Sequence, residues 1–454
     1  MDGDPAVEPE LDSFSLTLPL PYRVALVVVL GVWAWGANLH FLSLLKIDVP
    51  ALLHYPPRTS PRTDPPHHLS TYRLASLLTI PLALSLFLFW ILSHRNPTLV
   101  IYYDFLPISY LCVLLGLFLL PLRRFSSSGR TRFLTTLQRV SIGGLAQAHD
   151  GKFGDILLAD VLTSYAKIIA DLFVSLCMFF RPDGSATRRP DRGCGGQYLV
   201  PIIIAIPSLI RLRQCLIEYV RVRALNARNG GTIGHHGWGG QHLANALKYA
   251  SAFPVILFSA LQRNLSMNHA NIGLTEVSLY RCWVIAVFVN SFYSFYWDVA
   301  KDWDLTLFSS LWSRIHPSSR TAYTPLNSHS SSSSTSASHP QTNQPFGLRP
   351  RLYLVSSTVY YTVITLDLLL RCTWSLKLSP HLDHFADFES GIFLMEFLEV
   401  GRRWIWIFFR VETEWVRNTG SGGGSGSGGL LGMGMGIEDG VLLGDMYGKD
   451  DEDD

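Results

Sequence analysis

Residues 72–121 read YRLASLLTIPLALSLFLFWILSHRNPTLVIYYDFLPISYLCVLLGLFLLP: two apolar runs, 72–93 and 98–121, joined only by Ser93-His94-Arg95-Asn96-Pro97. At about 1.5 Å per residue each run crosses a hydrocarbon core of about 30 Å as a helix. The joint between them leaves room only for a tight helical hairpin. Working outward, further apolar runs of about 20 residues bounded by charge or by Pro and Gly lie near 22–45, 155–180, 198–219, 243–263, 279–298, 351–376 and 386–410. The fold class predicted is therefore an all-α polytopic membrane protein with roughly nine transmembrane helices. The composition agrees: 48% of residues are hydrophobic and only 16% charged, against about a quarter charged in soluble domains. The 12 Trp, 18 Tyr and 25 Phe suit anchoring at the two lipid–water interfaces. A formal net charge of +2, without a basic run interleaved with aromatics, gives no sign of nucleic-acid binding.

The first 21 residues are acidic (Asp2, Asp4, Glu8, Glu10, Asp12) and Pro-rich, the opposite of a cleavable signal peptide's basic start, so the first apolar run is expected to stay as a span. Cys112, Cys177, Cys215, Cys282 and Cys372 fall in apolar stretches and only Cys194 in a polar loop, so a disulfide scaffold is not expected. The linker 122–153 carries Arg123, Arg124, Arg130, Arg132, Arg139 and Lys152, with a candidate interfacial helix at Phe133 to Leu145. The positive-inside rule makes it cytosolic, together with 46–73, 220–242 and 299–350, and puts the N-terminus and the 94–97 joint on the opposite side. The loop 181–197, with Arg181, Arg188, Arg189 and Arg192, runs against that count. The Ser-rich insert 317–345 and the Gly-rich linker with acidic tail, 419–454, have no means of burying a core.

Charge inside the apolar runs carries the functional signal, because a charged side chain in mid-bilayer costs roughly 2.5–3.5 kcal/mol on the insertion scale and so faces a bundle interior or a water-filled path. In 155–180, Asp160, Ser164, Lys167 and Asp171 recur at helical spacing on one stripe, with Thr163 alongside. Glu396, Glu399, Arg403, Trp406 and Arg410 do the same in the last run, beside Arg402; Glu399 and Arg403 read as an i,i+4 pair, and Arg410, Glu412 and Glu414 as interfacial charges. Asp367 and Arg371 make another such pair, while Arg211, Gln214, Cys215 and Glu218 share a face, as do Asn245 and Lys248. Gathered in one bundle, Arg211, Lys248, Arg371, Arg402 and Arg403 would surround a path partly balanced by Asp160, Asp171, Asp298 and Glu399. Guanidinium forks and a movable ammonium suit a tetrahedral oxyanion such as phosphate or sulfate. The competing reading is that these charges only neutralise one another and fix helix packing.

Six ordered motifs give this reading a family. Phe153-Gly-Asp-Ile-Leu-Leu-Ala-Asp160, Pro207-Ser-Leu-Ile-Arg-Leu-Arg-Gln-Cys215, Asn245-Ala-Leu-Lys-Tyr249, Trp297-Asp-Val-Ala-Lys-Asp-Trp303, Arg371-Cys-Thr-Trp374 and Glu399-Val-Gly-Arg-Arg-Trp-Ile-Trp-Ile-Phe-Phe-Arg-Val-Glu-Thr-Glu414 resemble the EXS domain. That domain is shared by the phosphate-exporting retrovirus receptor of animals, the plant phosphate exporters and the fungal ER-retention-defective branch. Lacking an SPX domain and carrying a Ser-rich insert, the chain is most similar to the fungal branch. The resemblance implies that the last six helices form an EXS-type bundle within a transport domain at 154–418, behind an acidic tail (1–21) and N-terminal helices with a basic linker (22–153). It implies a phosphate path lined by Asp160, Lys248, Tyr249, Arg371, Trp374, Glu399, Arg402 and Arg403, with Thr163, Lys167, Asp171, Arg211 and Asp298 as secondary candidates. Ile217 and Glu218 depart from the two basic residues frequent there in the family, and Thr163 stands where exporters often have Asn. Also implied are a multi-pass Golgi membrane location (N-terminus luminal, C-terminus cytosolic, with passage through the endoplasmic reticulum), a homodimer in the lipid bilayer, and movement of inorganic phosphate from lumen to cytosol in support of glycosylation and ER retention.

The alternative function is a sorting scaffold that recruits cytosolic Golgi coat or recycling adaptors and transports nothing. An enzyme is not expected. Tyr103-Asp104 has no Gly-x-Gly-Asp partner for intramembrane proteolysis, and the loop holding His235, His236 and His242 lacks zinc spacing, so no metal or cofactor is expected. Asn264-Leu-Ser266 is a glycosylation sequon on the expected luminal side.

Overall fold

The computed structural model describes residues 11–54, 66–119, 127–147, 150–182, 184–228, 238–268, 276–315, 345–354, 356–376 and 388–421. Most of the two terminal tails and all but the last residue of the insert 317–345, together with His235 and His236, lie outside them. Every regular element among the described residues is helical. The long ones are α1 (Leu20–Leu44), α2 (His67–Ser93), α3 (Pro97–Leu119, interrupted at Tyr103 and Asp104), α4 (Lys152–Ser164), α5 (Ala166–Phe179), α6 (Leu199–Arg228), α7 (Gly240–Ala250), α8 (Ala252–Asn268), α9 (Glu276–Trp297), α10 (Ser357–Leu376) and α11 (Phe388–Ser421).

Each of the nine apolar runs overlaps one of these helices or helix pairs, three of them broken, and in the run 351–376 the helix begins only at Ser357. Five spans are long and apolar enough to cross a membrane by length and composition (α1, α2, α3, α6 and the pair α7–α8), and a sixth is added if the bent pair α4–α5 counts as one. Helix α11 falls outside that set although it is 34 residues long, since charge accumulates along it. Proline opens the elements where a missing N–H costs nothing: Pro21 in the first turn of α1, and Pro97 at the start of α3, where the Asn96 side chain accepts from Thr98 N at 3.1 Å. The candidate interfacial segment is instead a helix over Ser127–Gln138 followed by a π turn, Arg139–Gly143.

The bundle is apolar outside and charged inside. Ile80, Leu84, Phe87, Ile202, Ile285 and Phe288 are exposed, a surface that would drive association in water and that lipid accepts. Arg211, Arg402, Asp298 and Glu399 are buried. Two hydrophobic clusters flank this charged interior: one around Tyr22, Leu78, Phe89 and Leu111, the other around Leu42, Trp303, Tyr360 and Trp406.

Hydrogen bonds tie the connecting segments into two groups. At one end Arg23 donates to Leu18 O and Ser15 Oγ, Trp90 Nε1 to Thr17 O, and Thr187 Oγ1 to Val100 O. This gathers the chain start, the 94–97 joint and the loop 181–197. At the other, Arg132 donates to His54 O, Arg221 to Leu145 O, Arg349 to Trp303 O and Arg417 to Lys301 O, gathering the basic loops. Two arginines of the discordant loop are neutralised: Arg181 by Asp191 at 2.9 Å and Arg192 by Glu389 at 2.8 Å. That loop also corrects the reading of the cysteines, for Cys177 and Cys194 are joined by a disulfide that ties it to the end of α5.

Candidate functional site

The site forms where α4, α6, α7, α9, α10 and α11 converge. Two local breaks shape it. The α4–α5 axis bends by 61° at Tyr165, which leaves helical geometry (φ −90°, ψ 1°) and lays its hydroxyl against Gly31 of α1, where a Cβ would collide with it. The stripe read as continuous is therefore divided: Asp160, Thr163 and Ser164 face the centre, while Lys167 and Asp171 pair with each other farther along, with Lys167 Nζ 4.0 Å from Glu396. The second break is the π turn Asp298–Asp302 at the end of α9, closed by Trp303 N–H on Asp298 O at 2.8 Å. It brings both acids to one ammonium, and single π turns of this kind gather at functional sites.

Asp298 is the hub. Lys248 Nζ donates to its Oδ1 at 3.0 Å and to Asp302 Oδ2 at 3.4 Å; Arg371 grips Oδ2, which also receives Arg402 Nη1 at 3.5 Å. Arg371 Nε reaches Asp367 Oδ2 at 3.3 Å, the i,i+4 pair read from the sequence, and Arg402 Nη1 reaches Asp367 Oδ1 at 3.0 Å. Asp160 lies 2.8 Å from Arg211 Nε and accepts from the Tyr249 hydroxyl at 2.5 Å, while the Arg211 guanidinium stacks 4.8 Å over the Tyr249 ring.

Glu399 corrects the expected i,i+4 pair: its carboxylate is held two-pronged by Arg402, at 2.9 and 2.7 Å, and accepts from Ser164 Oγ at 2.7 Å. Arg403 instead donates Nε to Ser164 Oγ at 2.8 Å and Nη2 to Thr163 Oγ1 at 3.2 Å, with its guanidinium 4.5 Å from the Trp406 ring. Among the described residues Arg403 has no carboxylate at ion-pair distance, although it is buried. Four of the five central cations are thus shared among Asp160, Asp298, Asp302, Asp367 and Glu399, while the fifth, Arg403, is met only by hydroxyls and a ring face. A buried guanidinium in that position favours a bound anion.

Every site residue proposed from the sequence falls in the centre, except Lys167 and Asp171, which lie toward the disulfide-bearing end, and Trp374, which lies on α10 with its side chain outside the described residues. The sequence reading missed Asp302, whose position four residues after Asp298 was the available signal. Two long-range clusters were also missed. At the disulfide-bearing end, Arg23 and Arg192 converge on Glu389. Burial works against the Arg192 charge, yet the carboxylates of Asp171, Glu389 and Glu396 hold its proton above the ordinary range. At the opposite end Arg349 pairs at 2.5 Å with Glu412, which is fully buried within the protein.

Fold and site together define a helical membrane protein with a buried cluster of five cations and five carboxylates at its centre. Residues 18–416 match the EXS family, and the chain belongs to that family. It is 28% identical over 409 residues to Protein ERD1 homolog 1 of Schizosaccharomyces pombe, covering 89% of this chain and 93% of that protein. To Protein ERD1 of Kluyveromyces lactis it is 30% identical over 268 residues, 58% of this chain and 59% of the relative. To Solute carrier family 53 member 1 of Mus pahari it is 26% identical over 314 residues, 66% of this chain and 38% of that protein.

Proposed function

We propose that this protein carries inorganic phosphate across the Golgi membrane, from lumen to cytosol, through the cluster centred on Asp298 and Arg403. The observation that carries the reading is Arg403, a buried guanidinium with two donors on hydroxyls and no carboxylate of its own. A tetrahedral oxyanion placed there would accept its free Nη1 and draw on Lys248, Arg371 and Arg402, whose acids already hold them in place. Movement along the path exchanges one set of cation partners for the next. Similarity to Protein ERD1 and to Solute carrier family 53 member 1 supports the same reading. Phosphate removal from the lumen would follow nucleotide-sugar use there, linking the path to glycosylation and to retention of ER residents.

Purified full-length protein in liposomes is expected to release labelled phosphate faster than empty vesicles, with sulfate competing weakly. Flux no greater than that of empty vesicles would sink the reading. The orientation proposed puts the end bearing the disulfide in the lumen, where disulfides persist. A tag after Asp454 should then be digested in sealed Golgi vesicles without detergent, and its protection would reverse the orientation.

A further inference from the structure

The disulfide-bearing end, the mouth of the proposed path, is fastened by contacts that the central cluster does not require. The Cys177–Cys194 bridge fixes the loop 181–197 to α5, Thr187 Oγ1 fastens it to Val100 O at 2.9 Å, and Asp191 Oδ1 accepts from Gly193 N at 2.9 Å. Within this clamp Arg192 holds Glu389 two-pronged, Nη1 to Oε1 at 2.8 Å and Nη2 to Oε2 at 3.2 Å, and keeps its buried Nε without a hydrogen-bond partner. From α1, Arg23 Nη1 reaches the same Oε2 at 2.6 Å, its guanidinium 4.6 Å from the Phe14 ring. Two guanidiniums share this single carboxylate, and Asp171 and Glu396 also act on Arg192. Next inward, Lys167 lies between Asp171 and Glu396. Glu389, Glu396 and Arg403 lie on one helix at spacings of whole double turns, which places the mouth about 21 Å from Arg403 at about 1.5 Å per residue.

We propose that Arg23 and Arg192 form a docking site for inorganic phosphate at this mouth, which the Glu389 carboxylate occupies as a built-in anion until phosphate displaces it. The inference rests on the phosphate reading above and adds to it a first station and a competitor. Phosphate offers four oxygens and up to two charges where the carboxylate offers two oxygens and one charge, so it satisfies both forks at once. Displacement frees the first turn of α11 from α1 and from the bridged loop. Docking at the mouth is thereby coupled to the helix that carries Glu399, Arg402 and Arg403.

The test is the phosphate dependence of flux in liposomes of the full chain, with phosphate supplied at the disulfide-bearing side. Arg192→Gln is expected to raise KM about tenfold with kcat close to wild type, the equivalent of about 1.4 kcal/mol of lost binding. Arg192→Lys should lie between the two. Glu389→Gln should lower KM, since the competitor is gone, and the joint change Cys177→Ser with Cys194→Ser should raise it by loosening the loop. If the cluster were only a structural clasp, these variants would lose abundance or kcat and leave KM unmoved, which would overturn the proposal. A KM raised by adding phosphatidate to phosphatidylcholine vesicles would reassign the site to a lipid headgroup. Equilibrium binding of labelled phosphate to solubilised protein separates the two readings. Binding lost in Arg192→Gln, with no flux in wild type, keeps the mouth and removes transport. Flux whose KM ignores Arg192, Glu389 and the bridge keeps transport and removes the mouth.

Discussion

Arg403→Gln is expected to lower phosphate flux per correctly localised molecule by about ten- to a hundredfold, the loss of charge-assisted hydrogen bonds worth about 1.5–3 kcal/mol. Abundance should change little, because Arg403 leaves no carboxylate behind: its protein partners are Ser164 and Thr163 hydroxyls and the Trp406 face. Arg403→Lys keeps the charge and loses the planar fork, so its flux should fall between the two. The decisive comparison is the double change Glu399→Gln with Arg403→Gln. Were Arg403 the neutraliser of Glu399, removing both would restore what the single change lost. Since Glu399 is held by Arg402 at 2.9 and 2.7 Å, the double variant should do no better than Arg403→Gln. Full recovery of flux in it would hand the cluster to the packing reading. The pair that does couple is Glu399 with Arg402, and there the single changes should cost abundance while the double recovers part of it.

The charged faces of this site were legible because helix periodicity is local. Spacings of three and four residues placed Asp160 with Ser164 and Asp367 with Arg371 on common faces, and the structure joins each pair to the same centre. What the spacing did not resolve was which neighbour on a face becomes the partner: Arg402 at i+3 and Arg403 at i+4 both lay within reach of Glu399. The choice falls to tertiary packing, which gives Arg403 to the Ser164 side of α4. Breaks in helical regularity were equally opaque. Tyr165 carries no Gly or Pro signal, yet it separates Asp160 and Ser164 in the central cluster from the Lys167–Asp171 pair. The π turn at Asp298–Asp302 brings Asp302, which was read as part of a loop, onto Lys248 beside Asp298 at the end of the span. Cys177, judged by the apolar residues around it, gave no hint of Cys194 across the turn, a pairing set by the way the loop 181–197 folds back over α5. Family resemblance supplied the assignment of phosphate, which physics alone leaves equal with sulfate.

Arg349→Ala is expected to destabilise the protein by about 3–5 kcal/mol, the cost of leaving a buried charge without its counter-ion. Glu412 is fully buried and holds three groups together: Arg349 Nη2 at 2.5 Å, the Tyr360 hydroxyl at 2.5 Å and Tyr353 N at 2.6 Å. Arg349 in turn donates to Trp303 O at 3.0 Å and Thr413 Oγ1 at 2.6 Å. The cluster therefore fastens the strap 345–354 and the start of α10 to the far end of α11, about 14 Å beyond Arg403 at about 1.5 Å per residue. Removing the arginine alone leaves the carboxylate in an apolar shell of Trp303, Tyr360 and Phe409. Replacing both charges, as Arg349→Met with Glu412→Gln, keeps the volume and the acceptor for Tyr360 and should recover most of the loss. Thermal unfolding in detergent and steady-state abundance measure this, and flux per surviving molecule should stay near wild type in the double variant. A double variant as unstable as Arg349→Ala would mean that the strap is held by the arginine's bonds to Trp303 and Thr413 and not by its charge.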